Sequence, residues 1–407
     1  MTRQSSTPYV PEPAPFGLAE IGGLRAAGVA AGIKKSGAPD VALLVAAAPV
    51  PVAGVFTTNA FAAAPVDLSR EHLDRTGGHA AAIVVNSGNA NACTGDRGKK
   101  DARAMAERTA RLVGCLPEEV LVCSTGVIGV PLPLEKVLAG IERAYGALAQ
   151  GPAASSAFGD AIRTTDAFPK AAAREIAGGE GARVAGVCKG AGMIEPNMAT
   201  MLAFIATDLA IAPGALREIV ARAAARSFNA VHVDTHASTN DTFLVLASST
   251  NPASVGSEAV ATAITDVARR LAWLIARDGE GATKVTTIRV SGAADDTLAR
   301  EVARRVASSA LVRTALFGCD PNWGRFVSAA GNHPRVDAPS LLTCSVQGTT
   351  VFQRGEPTGF DHAALRAAMG REDVVVSIDL GSGTGEAEVM TSDLGYRYVE
   401  VNAEYTT

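Results

Sequence analysis

Lys189-Gly190-Ala191-Gly192-Met193-Ile194-Glu195-Pro196-Asn197-Met198-Ala199-Thr200-Met201-Leu202-Ala203-Phe204 is the stretch on which the reading of this chain turns. A loop rich in Gly and Pro feeds a small residue, then a threonine, then an apolar run with strand character. That is the local order required if the Thr200 hydroxyl attacks its own preceding peptide carbonyl. Such an N-to-O acyl shift needs a flexible approach and a small side chain before the hydroxyl, and a following strand anchors the new chain end. Cleavage between Ala199 and Thr200 leaves an α-amine of pKa about 7.7 to 8.0. Near neutral pH that amine can take the proton from the hydroxyl of the same residue, and threonine with its own amine is a known activated nucleophile.

Working outward, Arg183 to Val187 and Met201 to Ala206 flank the loop as strands. Further short apolar, partly β-branched runs bounded by Gly, Pro and Asn lie at Val41 to Val45, Val52 to Phe56, Ala81 to Val85, Thr242 to Leu246 and Lys284 to Val290. Helical spacing is expected from about Asp101 to Gly114, over Leu134 to Leu148, Pro213 to Ser227 and Glu258 to Arg277, and near Asp295 to Ala307. Toward the end, strands are expected at Leu341 to Val346, Val374 to Leu380, Ala387 to Met390 and Tyr396 to Asn402. The series is mixed α with β, too irregular for a clean parallel β-α-β repeat. The divisions expected are a loose leader over 1–16, a catalytic domain over 17–284 and a smaller α/β domain over 285–407.

Composition narrows the function classes. The 407 residues are 47% hydrophobic and 19% charged, as in folded proteins, with a net charge of −4 and no basic stripe, so neither disorder nor nucleic-acid binding is indicated. The uncharged run Val41 to Val66 is interrupted by Pro49, Pro51, Gly54 and Pro65, and reads as strands joined by turns rather than a membrane span. No export signal or transit peptide is evident at the start, which makes the cytoplasm the expected location. Six scattered cysteines without C-x-x-C spacing are expected to be reduced and mostly buried.

Three other features compete for the chemistry. Gly381 to Gly385 and Asn86 to Asn89 could cradle a phosphate, but no Gly-Lys-Ser/Thr opens a helix, and Gly385 leads into a strand-like run. His232 and His236 have metal-ligand spacing for a helix, yet Val231 to Asp234 reads as a strand entering a loop, and no metal site is expected. Ser124-Thr125-Gly126-Val127-Ile128-Gly129 follows the strand-like Val120 to Cys123 and could present a hydroxyl and a backbone N–H at one point, as oxyanion stabilisation requires.

The run Lys189 to Leu202 closely resembles the self-cleavage segment of the ornithine acetyltransferase family, the bifunctional glutamate N-acetyltransferases of arginine biosynthesis. Similar blocks occur at Ala26 to Lys34, Asn86 to Gly95, Ser124 to Gly129, Thr164-Thr165-Asp166, Asp278 to Lys284, Asp320-Pro321-Asn322-Trp323-Gly324-Arg325 and Val401 to Thr407. The resemblance implies an αββα-type sandwich related to the N-terminal-nucleophile fold, with a smaller C-terminal α/β domain. It implies cleavage into chains 1–199 and 200–407 that stay together, usually as an α2β2 heterotetramer. Thr200 would be the nucleophile of a ping-pong transfer from N2-acetyl-L-ornithine to L-glutamate, with Thr125 and Gly126 as the oxyanion hole. Substrate contacts fall on Thr164 or its neighbour Thr165, and on Lys189, Thr200, Glu280, Asn402 and Thr407. Lys189 suits a carboxylate and Glu280 an ammonium. No cofactor is implied, and acetyl-CoA is left open as a co-substrate, since both kinds of enzyme occur in the family. The sequence departs from the family pattern at His236, Ala237 and Ala167. The rival readings are an N-terminal-nucleophile amidase or aminopeptidase that gives the acyl group to water, and a nucleotide-binding protein resting on the glycine loops alone.

Overall fold

A computed structural model describes residues 9–195, 201–336 and 339–404. In chain order, the first part holds β1 (Leu24–Val29), β2 (Val41–Phe56), α1 (Ala64–Arg75), β3 (His79–Asn89), α2 (Gly95–Val113), β4 (Val120–Val127), α3 (Leu134–Gly146), α4 (Pro152–Ile162), β5 (Lys170–Glu175), β6 (Arg183–Lys189), β7 (Leu202–Leu209), α5 (Pro213–Ala225), β8 (Val231–His232), β9 (Thr242–Asn251) and α6 (Ser257–Arg277). The remainder holds β10 (Val285–Ala293), α7 (Asp296–Ser308), α8 (Ala310–Phe317), α9 (Trp323–Gly331), β11 (Thr343–Val346), β12 (Thr349–Gln353), β13 (Glu356–Pro357), α10 (His362–Met369), β14 (Asp373–Asp379), β15 (Gly385–Ser392) and α11 (Tyr396–Glu404).

The period-2 burial of the strands produces the layers. β2 is shared by two half-sheets: Val41 to Val45 pair with β3 and with β1, while Val52 to Phe56 pair with β9. The order is β4-β3-β2-β9-β7-β6-β5, with β1 beside β2. Alternate residues of both half-sheets, among them Leu44, Ile83 and Leu121 from one and Val187, Phe204 and Leu244 from the other, share one core. The opposite residues of the first half-sheet, such as Leu43 and Val84, pack on Met105 of α2 and Ile141 of α3. Those of the second, such as Val184, Ile205 and Val245, pack on α5 and α6. Helices, two sheet faces and helices therefore follow in sequence, which is the αββα sandwich. Phe158 of α4 closes the inner core, its ring edge-on to Phe204 with centroids 5.4 Å apart.

The second sheet runs β13-β12-β11-β14-β10-β15-β8, so β8 joins it from the first part of the chain. Its core takes Val302 and Val306 of α7, Leu316 of α8 and Phe326 of α9.

Three expectations need correction. Val41 to Phe56 is one continuous strand rather than two joined by a turn; Pro49 sits where the register with β3 shifts between Val45 and Val50, and Pro51 lies opposite His79, the first residue of β3. Tyr396 to Asn402 is helical, within α11, despite its alternating aromatic and β-branched residues. The helix expected from Asp101 begins at Gly95. Of the proline-rich start, Tyr9 packs edge-on against Phe168 and Trp273. Cys123, Cys188 and Cys344 are buried, Cys115 and Cys319 half-buried and Cys93 exposed, all as free thiols. Among the described residues no helix is long and apolar enough to cross a membrane.

Candidate active site

The turn at the end of β4 is held from three sides. Gly126 has φ +136°, and a Cβ there would meet the Gly88 carbonyl carbon at 2.3 Å and the Asn89 nitrogen at 2.5 Å, so only glycine allows this approach to β3. The Asn240 side-chain amide donates to Ala90 O at 2.7 Å and to Ser124 O at 2.8 Å, tying the turn to the segment before β9. Lys189 Nζ, at the end of β6, lies 3.4 Å from Thr125 Oγ1. An ammonium only donates, so this contact leaves the Thr125 hydroxyl proton free for another acceptor.

β6 and β7 pair antiparallel with Lys189 opposite Leu202, and β7 runs parallel to β9 with Leu202 opposite Thr242. Met201, where the described chain resumes, donates its N–H to Asp241 Oδ1 at 3.1 Å and accepts from Thr242 N at 3.1 Å. Burial pushes the carboxyl of Asp241 well above the usual range despite that N–H bond. On the other side of the loop, Asp234 accepts from Met193 N at 2.5 Å and from Ile194 N at 2.7 Å.

Glu280 follows α6. Its backbone N–H donates to Ala191 O at 2.9 Å, and its carboxylate lies so close to Gly192 that a Cβ there would meet Cδ at 2.6 Å. Asn402 Nδ2 donates to Glu280 Oε2 at 2.9 Å and to Tyr398 O at 3.0 Å. Tyr398 and Asn402 are four apart on α11, hence on one face. A cleft of about 310 Å³ is bounded by these groups, by Thr164 and Thr165, and by His236, Ser238 and Thr239.

Six residues singled out in the sequence, Thr125, Gly126, Thr164, Lys189, Glu280 and Asn402, thus line one cleft. Ala199, Thr200 and Thr407 lie outside the described residues. Thr165 lines the cleft beside Thr164. The alternative features do not assemble a site: Ser382 and Gly381 N–H groups are taken by Gly292 O at 2.7 Å and Asp379 Oδ1 at 3.0 Å. His232 is buried with Nδ1 2.8 Å from Glu195, while His236 is exposed at the cleft. Among the described residues no group of three His, Cys, Asp or Glu side chains is arranged to hold a metal.

The family model for ArgJ matches residues 25–407. This chain belongs to the ArgJ family. A protein of Rhodopirellula baltica named arginine biosynthesis bifunctional protein ArgJ is 46% identical over 395 residues, covering 95% of this chain and 96% of its own length. The like-named protein of Geobacter sulfurreducens is 47% identical, covering 95% of this chain and all of its own. A solved structure described as ornithine acetyltransferase complexed with ornithine, from Mycobacterium tuberculosis, is 41% identical over 46% of this chain and 96% of that one, with a TM-score of 0.43.

Sequence reasoning passed over part of the ArgJ cleft. His236, noted for its spacing from His232 and as a departure from the family pattern, lines it, and so do Met193, Tyr398 and Asn240. The Ser-Thr-Asn-Asp run ending at Asp241 could have flagged the last of these, since it abuts the predicted strand at Thr242.

Proposed function

We propose that this ArgJ-family enzyme cuts itself between Ala199 and Thr200 and moves the acetyl group from N2-acetyl-L-ornithine to L-glutamate through an ester on Thr200. The observation that carries this reading is the convergence of an oxyanion turn, a buried ammonium and a carboxylate on one cleft, next to the point where β7 begins.

The Thr200 hydroxyl attacks the acetyl carbonyl while its own α-amine takes the proton. The Thr125 hydroxyl and the Gly126 N–H receive the charge that develops on the carbonyl oxygen. Collapse breaks the C–N bond, and the stored proton leaves with the α-amine of ornithine. The α-amine of glutamate then attacks the ester and restores the free hydroxyl. Lys189 pairs with the substrate carboxylate and Glu280 with its ammonium, while Thr164 and Asn402 fix orientation. Thr407 is the remaining contact carried by the family resemblance, and the two chains pair as an α2β2 heterotetramer in the cytoplasm. Acetyl-CoA as a second donor is a separate activity, read by forming N-acetylglutamate without acetylornithine.

The experiment is Thr200→Ala in the full chain. A single uncleaved chain without transfer is expected; cleavage of that variant would overturn the self-processing step. In the wild-type protein, release of free acetate unaffected by glutamate would favour an amidase instead.

A further inference from the structure

Beneath the cleft lies a buried ion triad that the chemistry above does not use. Lys170 Nζ lies 2.6 Å from Asp166 Oδ1 and 2.5 Å from Asp278 Oδ2, and the side chains of Lys170 and Asp166 are fully buried. The same two carboxylates hold backbone from two separate segments, the α4–β5 loop and the loop after β6. Asp166 Oδ1 accepts from Gly190 N at 2.7 Å, directly after Lys189, and Asp166 Oδ2 from Thr164 N at 3.0 Å. Asp278 Oδ2 accepts from Ala167 N at 3.0 Å and stands two residues before Glu280.

We propose that the Lys170–Asp166–Asp278 triad is a positioning element that fixes the Lys189 backbone, and the sign and strength of the field on its ammonium, and so governs carboxylate binding in the cleft. The inference rests on the role given to Lys189 above. A surface network of this kind would contribute little, whereas removing one member of a buried one leaves an uncompensated charge beside the groups it holds. Here three of the proposed substrate contacts, Thr164, Lys189 and Glu280, hang from it by direct hydrogen bond or short chain connection.

The charged groups around Lys189 make the field legible. Asp166 and Lys170 face it from the α4–β5 side, Asp241 from the segment before β9, and Glu280 from beyond α6. Lys34 faces it from the loop after β1, and Cys188 adjoins it on β6, a neutral thiol pushed up by burial. Burial pulls the Lys189 ammonium below the usual lysine range; Asp166, Asp241 and Glu280 oppose this, and Lys170 adds to it. Asp166 itself is raised by burial, but Lys170 and Lys189 outweigh that and hold it below the usual carboxylate range. Asp166 therefore keeps Lys189 protonated and Lys170 works against it.

Opposite effects from the two triad members separate this role from simple support of the fold. The alkaline limb of kcat/KM against pH, and the pH dependence of L-ornithine affinity by calorimetry, are measured for the wild-type chain, Asp166→Asn and Lys170→Met. Asp166→Asn should move the alkaline limb down by about one pH unit, and raise KM for N2-acetyl-L-ornithine roughly tenfold with kcat little changed. Lys170→Met should move the limb up. Limbs that stay in place, or move in the same direction in both variants, would overturn the proposal. If Asp166→Asn fails to fold, Lys170→Met decides alone: an upward shift supports the field argument, and no shift or a downward one removes it. Absence of acetyl transfer in the wild-type protein would fall on the proposed function instead, and the ornithine-affinity profiles would still test the triad.

Discussion

Lys189 illustrates how one side chain can serve the fold and the site together. Its backbone closes the β6–β7 ladder opposite Leu202, and its ammonium sits against the Thr125 hydroxyl in a setting where burial opposes its charge. A substrate carboxylate would restore the partner that burial removes, so the cation gains most when substrate is bound. Lys189→Ala should raise KM for the amino-acid substrate at least about tenfold; steady-state kinetics showing an unchanged KM would sink that assignment. This residue was legible in the sequence through its place in the Lys189 to Leu202 block. The triad below it was not, because Lys170 and Asp278 meet across 108 positions and no local pattern records such a pairing. Thiol chemistry also belongs at this scale. Burial pushes Cys123 and Cys344 up to about 12, whereas Cys93 is exposed. A thiol reagent at pH 8 should label Cys93 first and reach Cys123, Cys188 and Cys344 only after denaturation; rapid labelling of Cys123 in the native protein would contradict the burial described.

At the scale of elements, β6 and β7 could be read as strands but not which residue faces which layer, since both faces are apolar: Val187 and Phe204 face the inner core while Val184 and Ile205 face α5 and α6. Phe204→Ala removes an aromatic ring from a closed core and should cost about 3–5 kcal/mol, measurable as a fall in the denaturation midpoint. α11 was not legible. Tyr396, Tyr398 and Val401 have strand propensity, and none of the helix's described residues is buried, so no apolar stripe reports its period. The helix places Tyr398 and Asn402 beside Glu280, a contact between distant parts of the chain that no local pattern records. The β4 turn is the most constrained element of the site. Gly126→Ala forces a Cβ into the Gly88–Asn89 backbone, and should lower acetyl transfer by roughly 10²–10³-fold if the turn supplies the oxyanion donors. Full activity in that variant would remove the turn from the mechanism.

At the scale of the whole molecule, the αββα order follows from two half-sheets sharing β2, a topology whose layers were implied by the family blocks rather than by periodicity, because both faces of these strands are apolar. The site then forms where segments from both half-sheets and from the C-terminal helix converge. Its buried charges leave a mark on stability. Burial, only partly offset by Lys170, pushes the Asp278 carboxyl up to about 6. A raised folded-state pKa means that the folded protein holds this proton more tightly than the unfolded chain does. Its stabilising contribution is complete below the ordinary aspartate value and is lost as pH rises through about 6. Asp278→Asn cannot titrate, so between pH 4 and pH 7 the melting temperature of the wild-type protein should fall relative to that variant, whatever the constant offset between them. A parallel pair of curves would show that Asp278 is not held as described.

The central claim is a covalent acetyl group on the threonine that begins the second chain, and intact mass spectrometry of the denatured protein, before and after N2-acetyl-L-ornithine, tests it most directly. The account predicts two chains, one beginning Thr-Met-Leu-Ala-Phe, and on that chain the added mass of one acetyl group that disappears when L-glutamate is supplied. A single chain of 41.5 kDa, or a cleaved chain that never carries the acetyl group, would contradict it.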